Sequence, residues 1–193
     1  EPGNGVRPDI TNVGQNLHTD NSYNLCPPDY VLLFCRQTAM EGGVSELVSF
    51  YAAHNQMRAE APDLLARLYE DFIFDRQREH APDDVMTIEH PLFTWDGSRL
   101  LGRLSKRQVH GGYALAGKAM DEQAAAALTA LETIMTAPGM RKKFYFEPGQ
   151  IQIVNNKTCD HSRTAFTDWP EPERHRNLTR LWLRHEGRVF YNG

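Results

Sequence analysis

The chain lacks what would place it in a membrane, on nucleic acid or in a disulfide scaffold. No apolar run approaches the roughly 20 residues that a membrane-spanning helix needs. No basic stretch followed by an apolar core opens it in the manner of a secretory signal. Three cysteines, Cys26, Cys35 and Cys159, are an odd number at irregular spacing, which argues against a disulfide framework. A reducing cytoplasm is the expected location. Basic residues are not in excess. The formal net charge of -4 leaves no global positive field to draw nucleic acid. Repeats and low-complexity linkers are also missing. What remains is a 193-residue chain with 40% hydrophobic residues, enough for one domain with a sizeable core. A small molecule is the expected partner, and a homo-oligomer is compatible with the composition.

The chain opens on a loop-like stretch, Glu1-Pro2-Gly3-Asn4-Gly5. Tyr30 to Arg36 is a short apolar run between Pro27-Pro28-Asp29 and Gly42-Gly43, which predicts a buried strand. Val44 to Phe50 alternates apolar and polar residues and predicts a second. Pro62 to Phe72 reads as a helix, with Pro62 in the first turn and Leu64, Leu65, Leu68 and Tyr69 on one face. Asp121 to Thr136 is a stronger helix. It starts on acidic residues, carries Leu128, Leu131, Ile134 and Met135 on one stripe, and stops at Pro138-Gly139.

Between the helices, Val85 to Leu104 reads as a hairpin about Asp96-Gly97. Phe144 to Phe146 and Ile151 to Val154 predict strands on either side of Pro148-Gly149. Leu178 to Leu183 and Arg188 to Tyr191 supply two more. Strands at both ends around a helical middle predict a β-rich α+β fold, a barrel or double-sheet jelly roll with excursions.

His18-Thr19-Asp20 sets an imidazole and a carboxylate two residues apart. On an extended segment such positions share a side, so both groups can reach one ion. A firm site needs a third ligand. Two histidines and one carboxylate on one face of an octahedron is the arrangement of non-haem iron(II) oxygenases. Eight histidines leave the third ligand open on spacing alone.

The surrounding residues resolve into a pattern. His18-Thr19-Asp20 is followed by Pro27-Pro28, Gly42-Gly43 and Ser45. Near the other end, Pro148-Gly149-Gln150-Ile151 leads through Asn155-Asn156 to His161-Ser162-Arg163-Thr164-Ala165-Phe166. This resembles the taurine dioxygenase family (TauD/TfdA-like, clavaminate-synthase-like), sharply at both ends and vaguely from Pro62 to Met140. The resemblance implies a double-stranded β-helix core with a helical insert at about 52–140. It also implies additional strands and helices before His18, so an N-terminal part is expected to be missing from this single catalytic domain.

The resemblance further implies an Fe(II)- and 2-oxoglutarate-dependent dioxygenase that uses O2. Its metal ligands would be His18, Asp20 and His161. Ser45 would contact 2-oxoglutarate, Arg176 would hold its far carboxylate, and Arg180 would lie nearer the substrate, with Arg174 and Arg184 as rivals. Because Asp20 is present, hydroxylation or a related oxidation is expected rather than halogenation. The implied substrate is a small polar, anionic or amino-acid-like metabolite.

Asn155 or Asn156 is expected either near the site or capping a strand end. Tyr23 is a candidate for the substrate pocket. Cys159, two before His161, points to the ligand's side by alternation, although a small buried cysteine is the commoner case. Trp182 is expected to be core packing, and the six other histidines have no assigned role. Two other functions fit parts of the pattern. One is a non-catalytic jelly-roll protein that keeps a metal site. The other is a zinc hydrolase with the same ligands, for which no HExxH-type base is present.

Overall fold

The computed structural model describes residues 11–185. Its framework is two antiparallel sheets. The first runs in the order β1 (Gln15–His18), β11 (Cys159–Arg163), β4 (Ser45–Ser49), β9 (Lys142–Phe144). The second places β2 (Tyr30–Gln37) between β10 (Ile151–Asn155) and β13 (Asn177–Leu183). Side chains from both sheets line one cavity. On the other face of the second sheet, Phe34, Ile151, Ile153, Leu181 and Leu183 are exposed. Short β3 (Glu41–Gly42) pairs with β12 (Phe166–Thr167) beside the cavity.

Between β4 and β9 the chain makes a mixed excursion. It contains α1 (Phe50–Glu60), α2 (Pro62–Arg67), β5 (Asp71–Asp75), β6 (Thr87–Pro91), β7 (Phe93–Trp95), β8 (Leu100–Gly102), α3 (Lys106–Leu115) and α4 (Glu122–Thr136). The main core lies here, where Phe50, Ala53, Met57, Leu68, Phe72, Phe93, Leu128, Leu131 and Met135 pack together. Burying each large apolar side chain contributes roughly 1.5–3 kcal/mol. Among the described residues no helix is long and apolar enough to cross a membrane.

Several expected elements are present. The Asp121 side chain accepts the Ala124 N–H at 2.7 Å and starts α4, whose buried stripe is the expected one. The hairpin turns at Asp96-Gly97, with Gly97 at a φ of 96°. Other elements differ. The predicted helix 62–72 ends at Arg67, because Phe72-Ile73-Phe74 is a buried run that pairs with β6 as a strand. The strand expected at Val44–Phe50 stops at Ser49, whose hydroxyl caps α1. The strand expected at 144–146 ends at Phe144, and Tyr145 turns out to solvent. β9 and β10, close in sequence, belong to different sheets. The opening stretch Glu1 to Gly5 and the strand expected at Arg188–Tyr191 lie outside the described residues.

Candidate active site

The β1–β11 ladder sets His18 directly opposite His161. Their rings stand 4.4 Å apart, centroid to centroid. The chain then turns at Asn21, in a left-handed conformation with a φ of 56°, and Asp20 folds back between the two imidazoles. Asp20 Oδ1 lies 3.3 Å from His18 Nε2 and 3.5 Å from His161 Nε2. The three ligand atoms fall within 4.8 Å of one another.

The turn is held from several sides. Asn156, on the loop after β10, accepts the Asp20 N–H at 2.8 Å and donates to the Asp20 carbonyl at 2.9 Å and the Pro28 carbonyl at 3.1 Å. The half-buried Arg103 guanidinium donates to the carbonyls of Ser22 and Asn24, both at 3.0 Å, and burial lowers its pKa to about 10. The Thr19 N–H donates to the Leu104 carbonyl at 2.8 Å.

The electrostatics of the trio are coupled. Burial opposes charge on His18, but its hydrogen bond to Asp20 and the carboxylate's charge raise the ring above its ordinary value. Burial would also raise Asp20. The hydrogen bonds from His161 and His18, with the positive charge of His161 and Arg180, hold it well below the usual carboxylate range. Burial, then the charge of His18, lowers His161.

The donor set fits a divalent metal. His18 Nδ1 lies 2.8 Å from the Asn16 carbonyl, which only accepts, so Nδ1 carries the hydrogen. When Nε2 also carries a hydrogen it donates to Asp20 Oδ1 at 3.3 Å. A divalent cation would take that proton's place between the two atoms. Ligand atoms about 2.1 Å from an ion on one octahedral face lie about 3 Å apart, close to the 3.3 and 3.5 Å from Asp20 Oδ1 to the two imidazoles. The carbonyl at Asn16 would fix the tautomer and ring orientation of a metal-bound His18.

Two cavities meet at this point. The first, about 640 Å³, is lined by Ser45, His161, Phe166, Leu178, Arg176 and Arg180, among others. Arg176 reaches it past Gly42-Gly43. A Cβ on Gly42 would stand 2.3 Å from the Ala165 carbonyl oxygen, and one on Gly43 would stand 3.2 Å from Arg176 Nε. Both glycines have positive φ. The Arg176 guanidinium lies over the Phe166 ring, and the Asp168 carboxylate, which accepts the Arg176 backbone N–H at 2.7 Å, acts on it electrostatically. Burial lowers the pKa of Arg176 from the ordinary value. Ser45 is buried at the start of β4.

The second cavity, about 220 Å³, adjoins the trio at His18 and Asp20. It includes Asn21, Tyr23, Gln77, Lys106, Gln108 and Glu132. His18 and Arg180 line both cavities.

The structure adds partners at Arg180 and the asparagines and departs from the sequence expectations at Trp182 and Cys159. Arg180 Nη1 is 3.1 Å from Asp20 Oδ2, so it pairs with that carboxylate. Trp182, expected to be core packing, donates its indole N–H to the same oxygen at 2.7 Å. Alternation on β13 turns Leu178, Arg180 and Trp182 to one face, a signal the sequence contains. Of the two asparagines, Asn156 braces Asp20, while Asn155 accepts the Lys157 N–H as a turn amide. Cys159 lines neither cavity, and burial raises its thiol above the ordinary value, which disfavours the reactive thiolate.

Residues 1–182 match the family described as taurine catabolism dioxygenase TauD, TfdA family. The chain belongs to that family. This TauD-family chain is 30% identical over 184 residues to FR-33289 synthase of Streptomyces rubellomurinus, covering 93% of this chain and 52% of the relative. It therefore spans about half the length of that relative. Its fold matches a solved asparagine oxygenase in complex with Fe(II), 3-hydroxyasparagine and succinate. There the TM-score is 0.72 and identity 19%, over 95% of this chain and 54% of the other. A taurine dioxygenase from Burkholderia xenovorans matches with a TM-score of 0.64 and 21% identity, over 92% and 58% of the respective chains.

Proposed function

We propose that this chain is the catalytic part of an Fe(II)- and 2-oxoglutarate-dependent oxygenase that hydroxylates, or otherwise oxidises, a small polar, amino-acid-like metabolite. The observation that carries the reading is the trio His18, Asp20 and His161 beside two cavities, one of which presents the guanidinium of Arg176. When bound, iron and 2-oxoglutarate supply the oxidation, with O2 consumed, CO2 and succinate released, and oxygen or oxidation delivered to the substrate.

The residues divide the remaining work. His18, Asp20 and His161 would hold the metal. In the larger cavity Arg176 holds the far carboxylate of 2-oxoglutarate. Its planar fork suits two parallel hydrogen bonds, and its charge persists at any working pH. The Ser45 hydroxyl adds a directional contact. Phe166, Val31, Leu33 and Leu178 add an apolar patch to that otherwise polar cavity.

The smaller cavity receives the substrate. Tyr23, Gln77 and Gln108 give it hydrogen-bonding walls, and Lys106 with Glu132 bring charge of both signs, which suits an amino-acid-like molecule. Arg180 is placed between the metal carboxylate and both ligands. The two sheets form the jelly-roll core of this reading, and residues 52–140 its insert of helices and short strands within a single domain. The asparagine oxygenase complex, with its hydroxylated amino acid and succinate, supports this substrate class. A zinc hydrolase with the same ligands would leave Arg176 and its cavity without a role.

The test is aerobic turnover with Fe(II), 2-oxoglutarate and a panel of amino acids and small anionic metabolites. Succinate release that depends on one panel member, and is absent in Asp20→Ala, supports the reading. Succinate formation that survives Asp20→Ala removes Asp20 from the ligand set.

A further inference from the structure

We propose that Trp182 is a positioning residue for the metal ligand Asp20, fixing its outer oxygen so that only the inner oxygen is offered to the ion. The inference rests on the metal reading given above. Asp20 is almost fully buried, with 3% of its surface exposed, and its two oxygens have different surroundings. Oδ1 meets the two imidazoles. Oδ2 accepts from Trp182 Nε1 at 2.7 Å and from Arg180 Nη1 at 3.1 Å.

The two donors are not equivalent. Arg180 has 28% of its side chain exposed and lines both cavities. An anionic ligand in either cavity competes for its charge. Trp182 has one donor and no acceptor, so its contact with Oδ2 has a single sense. Its backbone is paired opposite Val31 within the β2–β13 ladder, and Arg184 stands over its ring at 5.3 Å. The indole therefore stays in place when Arg180 turns to a ligand.

Without that hold the carboxylate is free to rotate about Cβ–Cγ and offer both oxygens. Two-oxygen coordination would occupy a fourth position of an octahedral ion. Only two positions would then be left where the proposed reaction needs three, two for the keto acid and one for O2. The N–H of Trp182 keeps the third position available. No spacing rule in the sequence points to this. It follows from the side on which β13 turns its aromatic.

The test uses Co(II) as a spectroscopic stand-in for iron, added to the full chain. Two variants are compared with the wild type. Trp182→Phe removes the N–H and part of the ring. Trp182→benzothienylalanine keeps the bicyclic shape and replaces only the N–H by sulfur, so a loss of packing cannot mimic the effect. Affinity is measured by calorimetry, and coordination by the visible d–d absorption of Co(II).

The expected result is one-to-one binding in the wild type and a loss of affinity of about 10- to 100-fold in both variants, the usual effect of removing a partner of a metal ligand. The d–d band is expected to change in position or intensity, while the benzothienyl variant melts within a few degrees of the wild type. Unchanged Co(II) affinity and an unchanged band in the benzothienyl variant would overturn the role of Trp182 and leave the metal reading intact. A wild-type chain that binds no Co(II) would overturn both.

Discussion

Replacing Asn156 by alanine should destabilise the metal-free protein severely, although Asn156 contacts the proposed ligand Asp20 only through its backbone. Its carboxamide is buried, with 1% of the residue exposed, and makes three hydrogen bonds to backbone. Truncation leaves the Asp20 N–H, the Asp20 carbonyl and the Pro28 carbonyl without those partners in a dry interior. A net stabilisation of about 1 kcal/mol per bond sets the lower end, and the larger cost of an unsatisfied buried group sets the upper. Together they give a loss of about 3–5 kcal/mol, a large part of the roughly 5–15 kcal/mol that holds a domain folded. With a urea slope of about 2 kcal/mol per molar, the unfolding midpoint should fall by about 1.5–2.5 M. Equilibrium urea unfolding followed by tryptophan fluorescence reads this directly. A midpoint shift below about 0.5 M would refute the claim that this amide is the main brace of the Asp20 turn.

Two other perturbations separate the roles of neighbouring groups. Arg176→Ala should weaken 2-oxoglutarate binding by at least about 100-fold, since it removes two charged hydrogen bonds of about 1.5–3 kcal/mol each, while metal affinity stays near wild type. Arg180→Ala should do the reverse, because its partner here is Asp20, and calorimetry with Co(II) and then the keto acid tells the two apart. If Arg180→Ala weakens the keto acid instead, the two arginines exchange roles. Asp160 is fully buried, and burial raises its carboxyl to about 8, against the pull of the His18 charge and the His161 N–H. The folded protein thus retains a proton that the unfolded chain releases near its ordinary value of 3.8. The stabilisation this brings is full below pH about 4 and is lost as pH rises toward 8. The melting temperature of the metal-free wild type should therefore fall relative to Asp160→Asn as pH is raised from 5 to 8. A difference that does not change with pH would refute the buried neutral carboxyl.

The sequence was informative where local pattern decides the outcome. The apolar run of β2, the capped and striped α4 and the Asp96-Gly97 hairpin each express one physical rule over a short window. Helix α3 did not, because Gly111-Gly112 lowers its propensity. The glycines are there for packing, since a Cβ on Gly112 would stand 2.3 Å from the Ile73 carbonyl oxygen. Helix α1 was masked by Phe50, which reads as the end of a strand although it opens the helix. At the site, His18 and Asp20 were legible as neighbours. The approach of His161 depends on β1–β11 register, and no spacing encodes a cross-strand partner. Trp182 looked like one more apolar residue among leucines, and only the tertiary position of Asp20 gives its N–H a purpose.

The most direct test of the central claim is an anaerobic titration of the protein with Fe(II), followed by 2-oxoglutarate, watched in the visible spectrum. Chelation of iron by the keto acid gives a weak charge-transfer band and requires no knowledge of the substrate. The account predicts that the band appears, saturates at one equivalent of each, and is lost in Asp20→Ala. Iron binding with no band at saturating 2-oxoglutarate would contradict it.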